Sequence, residues 1–93
     1  MPYMRVTHYQ ATPAVQEQLA GLAEEFVAAV RQLPGLQHHH GGIDRAAGKG
    51  ITVYIFDTEE HARFSPEAIG PVGAKVLATG TQIESTAIYE VTT

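Results

Sequence analysis

Apolar and polar residues alternate from Tyr3 to Tyr9, which predicts a first strand. Met4, Val6 and His8 share one of its faces; Tyr3, Arg5, Thr7 and Tyr9 share the other. After Gln10-Ala11 the period changes. Val15, Leu19, Leu22, Phe26, Val30 and Leu33 recur at steps of three and four, one apolar stripe on a helix of about 20 residues. Thr12-Pro13 starts it: threonine is an N-cap, and proline at the first helical position loses no intrahelical hydrogen bond. Pro34-Gly35 stops it.

Two further strands follow, Leu36 to Asp44 and Gly50 to Phe56. The polar segment Arg45 to Lys49 joins them as a hairpin, with Gly48 free to take a positive φ. The third strand is apolar on both faces, with Ile51, Val53 and Ile55 on one and Tyr54 and Phe56 on the other. Such a strand has to be covered on both sides. Asp57 and Glu60 form an Asp-x-x-Glu capping pair for a second helical segment. Ser65-Pro66 and Pro71 interrupt that segment, so the expectation is a turn at Thr58 to Arg63, irregular chain, and a helix from about Pro71 to Thr79 that Gly80 ends. Gln82 to Val91 reads as a fourth strand, with Ile83, Ala87, Tyr89 and Val91 on one face and Glu84, Thr86, Ile88 and Glu90 on the other.

The order β-α-β-β-α-β predicts a ferredoxin-like α+β fold, a four-stranded antiparallel sheet with two helices on one face. The other face is bare, and Tyr54 and Phe56 are expected on it, covered by a second copy of the chain. The 93 residues suit one domain, 1–93. A chain of that size buries only about two-thirds of its unfolded surface, so association adds to a thin core.

Composition narrows the classes. The chain has no cysteine, which excludes disulfides, thiolate metal sites and cysteine nucleophiles. Net charge is −4, and the six basic residues are scattered rather than gathered in the stripe of a nucleic-acid binder. Lys49 to Phe56 lies where an RNA-recognition signature would, but Ile51 and Val53 stand in place of the rings that stack bases. No apolar run reaches the roughly 20 residues of a membrane span. The opening Met-Pro-Tyr-Met-Arg lacks the apolar core of a signal peptide, so a cytoplasmic protein with neither nucleic-acid nor membrane partner is expected.

Several segments together resemble the dimeric α/β-barrel superfamily, specifically its antibiotic-biosynthesis-monooxygenase-like domains. They are Tyr3-Met4-Arg5-Val6-Thr7, Leu33-Pro34-Gly35-Leu36, the hairpin Asp44 to Gly50, Phe56-Asp57-Thr58-Glu59-Glu60 and Tyr89-Glu90-Val91. The resemblance spans nearly the whole chain and implies a homodimer whose two sheets face each other around a pocket. It also implies a choice among cofactor-free oxygenases of polycyclic aromatics, haem-degrading enzymes, isomerases and proteins without assigned activity. Haem degradation in such proteins relies on asparagine, tryptophan and histidine, and this chain has neither asparagine nor tryptophan.

The candidate chemistry centres on His38-His39-His40. On a strand, His38 and His40 share a face and His39 takes the opposite one. Two histidines at i and i+2 supply half of a metal site, or an imidazole near neutrality supplies a general base, or the run is polar strand surface at a pocket rim. The reading taken is a base at His38 or His40 in an inter-subunit pocket, with no metal and no cofactor. Tyr54 and Phe56 would contact a flat, hydrophobic or aromatic substrate, and Arg5 an anionic group, unless Arg5 pairs with Glu84 or Glu90. The reaction expected is cofactor-independent oxygenation or isomerisation. The rival reading is a non-catalytic dimeric ligand-binding or stress-associated protein. His61, in the first turn of a helix, reads as surface.

Overall fold

The computed structural model describes residues 1–93. Strand β1 runs Tyr3–Gln10, helix α1 Pro13–Val30, β2 Leu36–Asp44 and β3 Lys49–Phe56. A four-residue helix α2, Glu59–Ala62, and a 3-10 turn at Pro66–Ile69 lead into α3, Pro71–Ala78, and β4, Gln82–Glu90. The strands form one antiparallel sheet in the order β2-β3-β1-β4, the ferredoxin-like α+β arrangement. No helix is long and apolar enough to cross a membrane.

Local chemistry explains the boundaries. The Thr12 side chain accepts a hydrogen bond from the Val15 N–H, and Pro13 opens α1. Gly35, Gly48 and Gly80 all take the positive φ that a chain reversal needs, at 75°, 68° and 97°. The cap of α2 differs from the Asp-x-x-Glu expectation. Thr58 is the N-cap, its hydroxyl accepting from the His61 N–H. Asp57 instead meets the His61 ring, Oδ1 to Nδ1 2.6 Å. That pair fills the space beside Gly35, where any Cβ would collide with it.

Register assigns the faces, and here the sequence expectation is corrected. Tyr54 pairs across the sheet with Arg5 and His39, and Val53 with Val6 and His40. Tyr54 and Phe56 are buried under the helices in one core with Val30, Leu33 and Ala62, not on the bare face. The bare face carries Met4, Val6, Ile51, Val53, Ile55, Ala87 and Tyr89. A bulge at Gln37 causes the reversal in β2: Leu36 faces Phe56, yet the next partner of β3 is His38 opposite Ile55. One extra residue shifts the alternation by one, so His39 rather than His38 follows Leu36 onto the helix side. A second irregularity, between His8 and Tyr9 in the pairing of β1 with β4, sets Ile83 opposite Tyr9 and so separates it from Ala87 and Tyr89.

Candidate ligand cavity and active site

Between the sheet and the helices of the chain lies a cavity of about 500 Å³. Leu19, Leu22 and Phe26 of the α1 stripe line one side, Val76 and Leu77 of α3 another. The sheet supplies a polar floor, with Thr7, Thr52 and Thr86 beside Arg5, Tyr54 and His39. The pocket was expected between subunits; this cavity lies under the helices of one chain.

An aromatic wall runs across the floor. The His39 ring stacks on Tyr54, centroids 5.1 Å apart and 25° between planes, with Phe26 at 5.8 Å on its other side. Phe64 stands edge-on to Tyr54 at 5.4 Å, and the Arg5 guanidinium lies 3.9 Å over the Phe64 ring. Arg5 Nη1 donates to the carbonyls of Ala62 and Phe64 at 3.0 and 2.7 Å. Neither Glu84 nor Glu90 pairs with it: Glu84 accepts from Lys49 and Gln10.

Burial sets the protonation states. The Tyr54 phenol is pushed up to about 12 by desolvation against a smaller opposing pull from Arg5, so at neutral pH it is an intact O–H. Burial, then the nearby His40 and Arg31, push the His39 imidazole below its ordinary value. His39 is therefore neutral at pH 7, and its Nε2 is buried with no partner in the protein. A neutral imidazole carries a proton on one ring nitrogen and a lone pair on the other, and in the tautomer with the proton on Nδ1 the unpartnered Nε2 can act as a general base.

Of the residues expected at the site, Arg5 and Tyr54 line the cavity, and Phe56 packs behind them as fully buried core. His38 and His40 do not line it; they sit opposite Ile55 and Val53, exposed on the bare face. No set of three His, Cys, Asp or Glu side chains gathers to hold a metal. His39, the threonine floor and Phe64 line the cavity and were not among the residues expected at the site. One signal was available: the even positions Thr52, Tyr54 and Phe56 of β3 mix polar with aromatic, whereas Ile51, Val53 and Ile55 are uniformly β-branched, the surface suited to another sheet.

A pH dependence follows for His39. Its folded-state value lies below the unfolded one, so the unfolded chain binds the proton more readily. The stability it contributes is complete above the unfolded value of about 6.5 and is lost as pH falls through the folded value. Urea denaturation of the wild type is expected to lose stability from pH 7.5 to 5, with a smaller loss for His39→Gln. NMR titration of the His39 ring protons should give a midpoint below about 6.5. Parallel profiles for the two proteins would count against the assignment.

No protein-family model matches the chain, and no curated protein matches it by sequence. Solved structures match its fold. MupZ from Pseudomonas fluorescens superposes with a TM-score of 0.79 at 9% identity, covering 94% of this chain and 69% of MupZ. A candidate antibiotic biosynthesis monooxygenase from Chloroflexus aurantiacus J-10-fl gives 0.67 at 15% identity over 100% of this chain and 95% of its own. SnoaB from Streptomyces nogalater, a cofactor-independent oxygenase, gives 0.70 at 12% identity over 99% and 94%. The fold is thus that of the antibiotic-biosynthesis-monooxygenase-like proteins, as the sequence motifs implied.

Proposed function

We propose that each protomer binds a flat, largely apolar molecule in the cavity under its helices, and that two copies pair through their bare sheet faces. The activity proposed is cofactor-independent oxygenation of an enolisable aromatic compound. The observation that carries it is His39, neutral and unpaired within an aromatic wall. SnoaB, which shares the fold, is a cofactor-independent oxygenase, and that supports the reaction class. His39 Nε2 takes the proton from an acidic C–H, leaving an electron-rich enolate. The enolate gives its electrons to dioxygen, a C–O bond forms, and loss of water from the hydroperoxide leaves a carbonyl.

Anthrone, an enolisable tricyclic ketone, is the probe. One dioxygen per anthrone should yield anthraquinone and water, with no flavin, haem or metal added. An oxygen electrode should record uptake above the buffer rate, reduced at least 100-fold in His39→Ala, in the range typical of a lost general base. Binding without uptake would favour the non-catalytic rival.

A further inference from the structure

We propose that the cavity selects planar aromatic molecules that carry a carboxylate, held by the free edge of Arg5. This rests on the reading of the cavity as a ligand site. Arg5 is the one formal charge among the lining residues, which include no aspartate, glutamate or lysine. The ion pairs of the chain lie elsewhere: Lys49 with Glu84, His61 with Asp57, Arg63 with Glu59 and Lys75 with Glu25. A part-buried cation with no counter-charge is unfavourable until an anion arrives.

The geometry of the guanidinium names that anion. Both carbonyls of α2 and its exit are taken by Nη1. The Nε and Nη2 edge makes no hydrogen bond within the protein, and Nε is buried. These two N–H groups lie side by side on the planar fork, and their spacing matches the two oxygens of a carboxylate. Phe64 beneath the guanidinium holds the fork in its plane. Arg5 also faces a smaller recess lined with Arg63, Phe64, Thr86 and Ile88, whose charged residues are both cations.

The rest of the ligand is set by the wall. Arg5 and His39 flank Tyr54 from the two neighbouring strands, two strand spacings or about 10 Å apart. Phe26, His39, Tyr54 and Phe64 offer ring faces and edges along that span. A fused-ring acid reaches from the Arg5 edge toward the base.

Isothermal titration calorimetry of the full chain at pH 7.5 with 2-naphthoate and with 2-naphthamide tests this. The two share the ring system and differ in the head group, where the amide is uncharged and an NH2 with two donors replaces one acceptor oxygen. Wild type should bind the acid at least tenfold tighter than the amide, and Arg5→Met should lose that preference. The wild-type comparison decides even if the variant fails to fold. Equal affinities would overturn the carboxylate while leaving the ligand cavity standing. No binding of either would overturn both.

Discussion

Val53→Asp is expected to convert a dimer of about twice the 10.0 kDa chain mass into a monomer. Val53 stands near the middle of the bare face, opposite Val6 on one side and His40 on the other. Ile51 and Ile55 flank it along β3, and all three are only half-buried in one protomer. An apolar sheet face left to water marks an interaction surface, and two such faces pack about 10 Å apart. In that layer a carboxylate loses its water, and the only titratable side chain directly opposite it is the His40 imidazole. An uncompensated buried charge costs about 3–5 kcal/mol, and each dimer would contain two. Dissociation should rise by more than about 10⁴-fold, since every 1.4 kcal/mol is a factor of ten. Sedimentation equilibrium at micromolar concentration reads this directly. Because Val53 is outside the Phe56 core, the monomer should keep its far-UV signal. A variant that sediments like the wild type, or a wild type that is already monomeric, refutes the pairing of bare faces.

Phe56→Ala is expected to have the largest effect on folding. Phe56 is fully buried, and Tyr54, Val30, Leu33 and Ala62 share its cluster. The ring also meets Phe64 at 5.6 Å, so one side chain joins β3 to α1 and to the segment after α2. Removing a buried phenylalanine costs about 3–5 kcal/mol. Against the 5–15 kcal/mol typical of whole domains, roughly a fifth or more of the stability goes. In a chain of this size each kcal/mol is worth at least about 4 °C, so Tm should fall by about 12 °C or more. Ile55→Ala, one residue away but on the bare face, should shift the dimer equilibrium more than the intrinsic stability of the protomer. If the two substitutions were interchangeable in both assays, the faces of β3 would be assigned wrongly.

The element order was legible in the sequence because its signals are local. Thr12-Pro13, Pro34-Gly35, Gly48 and Gly80 act through the dihedral angles and hydrogen bonds of their own neighbours, and the 3.6-residue stripe of α1 needs no knowledge of its partner. The fold followed from that order. Which face of the sheet met the helices did not follow, because β3 is apolar on both sides and either assignment buries large side chains. Tertiary packing decided it. The bulge at Gln37 moved His39, and not His38 and His40, to the cavity side, and a bulge leaves no distinct mark in residue type when its extra residue is an ordinary glutamine. The cavity is lined by the α1 stripe and by sheet residues, Thr7, Thr52 and Tyr54 among them, that only the register brings side by side. Arg5 and Tyr54 were named from the sequence for a pocket between subunits; that they line one cavity with His39 under the helices is a property of strand pairing, set by hydrogen bonds between residues far apart in the chain.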